Sequence, residues 1–209
     1  MARNIMQGSA SPGKSHQHRV CPWWFGYLLL GPIRRLRHDP SAILAPYLHK
    51  GITVLEPGPG MGFFTLELAR RVGRTGRVIA VDVQPRMIER LKRRAANANL
   101  AGRIDARVTR ADSMQLDGLD RRIDFVLAFA VVHEMPEAAG FFTEAAVTMK
   151  PDARMLLAEP SGQVSEAEFD MELEVARRAG FELDARPQIR RTRTAVLRKS
   201  GSSGAYPQH

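Results

Sequence analysis

The stretch Val54-Leu55-Glu56-Pro57-Gly58-Pro59-Gly60-Met61-Gly62-Phe63-Phe64-Thr65 decides how the rest of this chain is read. An apolar strand ends in a carboxylate, passes through glycines at alternate positions, and enters a helix. Glycine at a strand-to-helix corner puts no Cβ between backbone and ligand, so a nucleoside can come close. Glu56 narrows the choice of nucleoside. A loop that cradles a pyrophosphate gathers helix N–H groups around negative charge, and a carboxylate two residues ahead of the first glycine opposes that charge. Glu56 suits a ligand whose nearest group is a cation. Phe63 also stands where a dinucleotide loop needs its third glycine.

Outward from this corner the chain alternates. Ile52 to Glu56 reads as a strand and Gly62 to Arg71 as a helix. Arg77 to Asp82 is a strand, and Pro85 to Asn97 a helix with proline in its first turn. Strands follow at Asp105 to Arg110 and Ile123 to Phe129, then a helix at Glu137 to Met149. Ala153 to Glu159 is a strand, and Ser165 to Ala179 a helix that ends at Gly180. Phe181 to Arg186 and Thr192 to Arg198 close the series as two strands with no helix between them. Such alternation predicts a parallel sheet covered by helices on both faces, and the final pair predicts an antiparallel edge.

The whole chain bounds the reading. Its 209 residues fit one domain with extensions. Residues 1–20 and 200–209 are polar and read as disordered, 21–50 as a helical N-terminal extension, and 51–199 as the main domain. The net charge of +9 invites a nucleic-acid partner. The basic residues are nearly all Arg and are scattered over many segments, which favours a generally basic surface instead. Cys21 is the only cysteine, which excludes an internal disulfide and a cysteine-based metal cluster and fits a cytoplasmic setting. The polar first twenty residues do not read as a signal peptide. Trp23 to Ile33 is apolar but too short to span a bilayer, although residues 21–37 could lie on a membrane surface. Trp23, Trp24 and Tyr27 either pack on the core or form a lid that helps to choose the substrate.

In open parallel sheets, ligands bind beyond the carboxyl ends of the strands, where strand order reverses. Glu56, Asp82, Asp112 and the segment Phe129 to Glu134 fall at such ends. Asp82, twenty residues after Gly62, can accept hydrogen bonds from both hydroxyls of a ribose. A nicotinamide cofactor and a methyl donor share that requirement. Glu56 and Phe63 separate them, because S-adenosylmethionine carries a sulfonium and an ammonium and no phosphate.

With these residues in place, the chain resembles the class I S-adenosylmethionine-dependent methyltransferases over roughly Pro40 to Lys199. Glu56-Pro57-Gly58-Pro59-Gly60-Met61-Gly62 is similar to the family's acidic, glycine-rich first motif. Val81-Asp82-Val83 and Ala111-Asp112-Ser113 resemble the second and third, and Asp124 to Pro136 the fourth-strand segment. Lys150-Pro151-Asp152-Ala153 and Ala179-Gly180-Phe181 resemble the turns before the last parallel strand and the one after it. The resemblance implies an α/β, Rossmann-like three-layer sandwich on a seven-stranded, mostly parallel sheet with a C-terminal antiparallel hairpin. It implies an S-adenosyl-L-methionine site built from Glu56, Gly58, Pro59, Gly60, Asp82, Val83, Asp112, Ser113 and Phe129. In it Asp82 meets the ribose, Val83 lies beside the adenine, and Asp112 lies near the adenine amino group.

Within the family, Val131-Val132-His133-Glu134-Met135-Pro136 looks most like the small-molecule enzymes. The segment after Phe129 lacks the Asn/Asp-Pro-Pro-aromatic pattern of base and glutamine amino-methylation. His133 is the candidate base, with a pKa naturally close to working pH, or else a histidine that shapes the pocket. Glu134 either meets a cationic acceptor or faces solvent. Val132, His133 and Glu134, with Trp23, Trp24 and Tyr27, are the candidate acceptor pocket, and no metal is expected. The acceptor atom and the oligomeric state are not legible. The rival readings are an RNA or protein methyltransferase that uses the basic surface, and a non-catalytic binding module.

Overall fold

Residues 39–201 are described in the structure, a computed structural model. The expected lid residues Trp23, Trp24 and Tyr27, the surface segment 21–37, and the polar segments 1–20 and 202–209 lie outside the described residues.

The first described helix, α1 (Pro40–Leu44), starts where Asp39 accepts the Ser41 N–H at 2.9 Å with proline at the first helical position. Then come β1 (Thr53–Pro57), α2 (Thr65–Arg71), β2 (Arg77–Asp82), α3 (Pro85–Asn97), β3 (Ile104–Val108) and β4 (Ile123–Phe129). The chain continues through α4 (Ala138–Thr148), β5 (Met149–Pro160), α5 (Glu166–Arg178), β6 (Phe181–Ala185) and β7 (Thr192–Lys199). Ser165 and Glu168 close a capping box at the start of α5, an arrangement that stabilises a helix by about 1 kcal/mol.

The strands form one seven-stranded sheet in the order β3-β2-β1-β4-β5-β7-β6. β1 to β5 run parallel, and β7 is antiparallel to both β5 and β6. The expected three-layer α/β architecture is present. Its layers follow from the alternation of side chains along each strand. Val54, Val78, Phe125 and Leu127 pack with Leu44 of α1 and with Leu66, Leu68 and Ala69 of α2. Ala80, on the same side of β2 as Val78, takes Ile88 and Leu91 of α3. The intervening residues Leu55, Ile79, Val126 and Ala128 meet Phe142 and Ala145 of α4 and Phe169 and Ala176 of α5. Among the described residues no helix is long and apolar enough to cross a membrane.

Two boundaries depart from the sequence expectation by three residues or more; the others agree within two. α2 begins at Thr65 rather than Gly62, because Gly60 and Gly62 adopt φ of +54° and +84°, which no right-handed helix contains. β5 begins at Met149 rather than Ala153. Ile123 pairs with Met149 but Phe125 pairs with Arg154, so the intervening turn, with Asp152 at φ +61°, bulges out of a ladder that continues on both sides.

Gly62 holds the corner closed. A Cβ there would lie 2.5 Å from Leu91 Cδ1 on α3, and its φ is unfavourable for any other residue. Gly62→Ala is expected to destabilise the fold by roughly 1–3 kcal/mol. A thermal melt should show this as a lowered Tm, and an unchanged Tm would contradict the close packing of α3 on the corner.

Candidate active site

Strand order reverses between β1 and β4, and there a cavity of about 360 Å³ opens beyond the carboxyl ends of the strands. Glu56 at the end of β1 is 4% exposed, and Asp82 at the end of β2 is 8% exposed. Phe129 ends β4, its ring 4.6 Å from that of Phe64. The glycine corner is fixed by its own backbone: Gly58 N–H donates to Val81 at 2.9 Å, and Gly62 N–H to Pro59 at 2.9 Å. Pro59 is buried beneath this loop. A Cβ on Gly58 would lie 2.5 Å from Val131 Cγ2, whereas one on Gly60 would meet nothing within 4 Å. Gly58 is therefore small to admit Val131, and Gly60 lines the cavity with bare backbone.

Asp82 accepts N–H groups from Gln84, at 2.9 Å, and from Gly60. Burial pushes its carboxyl up to about 6, against the lowering effect of those two N–H groups and with help from the charge of Glu134. Keeping it ionised at neutral pH costs the fold about 3 kcal/mol. A carboxylate in that condition gains from any hydroxyl donor that enters the cavity.

The other expected cofactor residues lie at the rim. Val83 is 39% exposed at the lip. Asp112 is exposed and holds Arg110 through two hydrogen bonds, at 2.9 and 3.0 Å, which keep its carboxyl below the usual range. Ser113 pairs with Arg110 in an isolated bridge and accepts the Gln115 N–H. Asp112 and Ser113 both line the cavity.

After β4 the chain turns sharply at Ala130, whose φ of +57° is unusual for a residue with a Cβ. The turn puts Val131 against Gly58 and sends Val132 into the core, 2% exposed. This corrects the expected acceptor pocket: Val131 lines the cavity, while Val132 contributes only its N–H, which donates to Glu159 Oε1 at 2.9 Å. His133 and Glu134 line the cavity, and Glu134 is a half-buried wall residue rather than a solvent-facing one.

The partner of His133 was not singled out from the sequence. Glu159, wholly buried at the end of β5, hydrogen-bonds His133 Nδ1, and Gln163 Oε1 lies 2.8 Å from Nε2. Burial pushes the imidazole pKa down, but the hydrogen bond and charge of Glu159, with Glu134 and Gln163, outweigh it, and the net displacement is upward. Both ring nitrogens thus face acceptors, the environment that suits an imidazolium. Glu159 closes the apolar run Met155-Leu156-Leu157-Ala158 as Glu56 and Asp82 close theirs, so the signal that could have found it was present.

The lining tests which cofactor fits. Among the described residues it carries Glu56, Asp82, Asp112, Glu134, Glu137 and Glu144 against Arg110 and His133. Arg110 is already paired with Asp112. A phosphate-bearing dinucleotide finds no free basic group here, whereas a cationic nucleoside fits the acidic wall and the bare backbone at Gly60.

Comparison with known proteins agrees. Residues 48–189 match the family described as methyltransferase domain. A ubiquinone biosynthesis O-methyltransferase of Methylocella silvestris is 32% identical over 68% of this chain and 53% of its own length. An arsenite methyltransferase of Halobacterium salinarum is 30% identical over 58% of this chain and 30% of its own. The chain thus spans about half or less of the length of these curated relatives. A solved S-adenosylmethionine-dependent methyltransferase from Aquifex aeolicus superposes with a TM-score of 0.75 at 26% identity, covering 86% of this chain and 98% of that one. The fold, the acidic glycine corner and the matched family give one conclusion: the chain belongs to the class I S-adenosylmethionine-dependent methyltransferases, and S-adenosylmethionine is its cofactor.

Proposed function

We propose that this enzyme methylates a small, largely apolar acceptor that arrives protonated, with His133 as the general base. The observation that carries this reading is the buried Glu159 carboxylate on Nδ1 of a histidine that lines the cofactor cavity. Apolar wall residues near it, Phe63, Phe64, Phe129 and Met135, favour an acceptor with a hydrophobic body.

Glu56, Gly58, Pro59 and Gly60 would take the cationic end of the cofactor, Asp82 its ribose hydroxyls, and Val83, Asp112 and Ser113 its base. When bound, S-adenosylmethionine supplies a methyl carbon activated by a sulfonium. His133 would then have one task, to take up the proton that the acceptor releases. The proton goes to Nε2, while Nδ1 stays on Glu159. The resulting imidazolium meets Glu159 on one side and Gln163 on the other, so the charge that develops during transfer is the charge the surroundings favour.

Three outcomes test this reading. Labelled methyl donor should transfer label to a component of a metabolite extract, and His133→Gln should lower kcat by a factor of roughly 10²–10⁴ with cofactor affinity retained. Retention of full turnover would rule out the base. The raised pKa of His133 means that the free base is populated only above the ordinary histidine value of about 6.5, so kcat/KM should climb as pH rises through and beyond it. A rate that is flat across neutral pH would contradict this.

Asp82→Asn should weaken S-adenosylmethionine binding at least tenfold by calorimetry. The same substitution should raise the Tm of the cofactor-free protein at neutral pH. The sign follows from the direction of its displacement: a carboxyl held near 6 when folded lends stability below its unfolded value, and that stability is lost as pH rises through about 6. A lowered Tm or unchanged affinity would overturn the role given to Asp82.

A further inference from the structure

Within electrostatic reach of Glu159 and His133 lies a second, half-buried carboxyl that the proposed reaction does not use. Glu172 sits in the middle of α5, and its Oε2 is buried with no hydrogen-bond partner. The charged groups acting on it are Glu159 from the end of β5, His133 from the turn after β4, and Glu168 one turn earlier on its own helix. Glu134 stands on the far side of His133, 4.0 Å from Nε2. On β7, Arg193 is the ladder partner of Glu159, but its guanidinium donates to the Val164 carbonyl at 2.8 Å and lies 3.9 Å from Glu166. α5 packs on α4, on β6 and, through Phe169 and Ala176, on the sheet, and the carboxylates of α4 and β6 are bonded elsewhere: Glu144 to Met114 N–H, Glu182 to Arg198 and Ser200, and Asp184 to Arg154.

A buried carboxylate oxygen with no donor costs several kcal/mol, and one beside another buried carboxylate costs more. Glu159 already has its donors, the Val132 N–H and the imidazole. It is the member of the pair that can remain charged. Glu172 has none at Oε2 and is the member that keeps its proton.

We propose that Glu172 is a positioning residue for His133, held as a neutral carboxylic acid within reach of the Glu159 charge so that a single negative charge faces the imidazole and fixes Nδ1 on Glu159. The inference rests on the reading of His133 as the base, and it deepens that reading by naming what sets the base's strength. Burial, reinforced by the charge of Glu159, pushes the Glu172 carboxyl up to about 8. Above that pH a second negative charge appears beside Glu159 and the imidazole binds its proton more tightly.

The test is a titration of the full chain labelled with ¹⁵N-histidine, following the ring nitrogens of His133 by long-range proton–nitrogen spectra without acceptor. The His133 signals are identified by their loss in His133→Gln. In the unsubstituted protein, His133 should report two ionisations, its own and a second near pH 8. Glu172→Gln, a permanently neutral isostere, should abolish the second and keep the proton on Nδ1. Glu159→Gln should lower the midpoint of His133 and remove the preference for Nδ1. A single ionisation at His133 in the unsubstituted protein, or a second one that persists in Glu172→Gln, would overturn the proposal. The first of these needs no variant of Glu172 or Glu159 to fold, only His133→Gln for the assignment. If the coupling is found and His133→Gln still turns over, the role of the base fails while the role of Glu172 stands.

Discussion

A carboxylate taken out of water must be neutralised, hydrogen-bonded or paired, and this protein meets that requirement at the ends of three strands of one sheet, β1, β2 and β5. Glu56, Asp82 and Glu159 are each less than a tenth exposed, and each ends an apolar strand whose packing the sheet cannot forgo. The hydrophobic layers that stabilise the fold are therefore the same layers that desolvate the site. Asp82 is held by N–H groups of Gln84 and Gly60, and Glu159 by the Val132 N–H and the His133 ring. Both depend on sharp turns in the chain that follows a strand: the glycine corner after β1 and the left-handed Ala130 after β4. Backbone strain of this kind is kept where the surrounding contacts over-determine it.

The division of the cavity follows from that arrangement. The β1 and β2 ends carry acidic groups and bare backbone. The β4 and β5 ends carry an imidazole between a carboxylate and an amide. The first half suits a cationic nucleoside, and the second suits proton removal. The glycine corner joins the halves, because Gly58 has no Cβ and Val131 can seat against it.

Much of this was legible in the sequence, and the failures have physical reasons. Glu56 and Asp82 could be read because the pattern around them, an apolar run, a carboxylate and then turn residues, is local. Glu159 has the same pattern, an apolar run, a carboxylate and then the turn residues Pro160, Ser161 and Gly162, yet in the sequence it reads only as the end of a strand. Val132 is expected in the acceptor pocket and lies in the core instead because the positive φ of Ala130 shifts the phase of the chain, and periodicity cannot see a reversal at one residue. Glu172 was out of reach: its significance depends on which face of α5 meets β5, and a charged residue in a helix reads as solvated until that packing is known. The start of α2 was misplaced because glycine is compatible with a helix by pattern and incompatible by the φ it adopts here.

The order of the strands has a consequence for how the molecule is made. β7, the last of the seven strands in sequence, lies between β5 and β6, and β6 has no other partner. The edge of β5 that carries Glu159 stays open until Thr192–Lys199 has been synthesised and inserted. A nascent chain can assemble the strands that hold the cofactor half early, from local crossovers. The strand that bears the partner of His133 is locked only by a contact of long sequence separation. The acidic glycine corner and the His133–Glu159 pair thus mature at different moments in the life of the chain, the second waiting for its final strand.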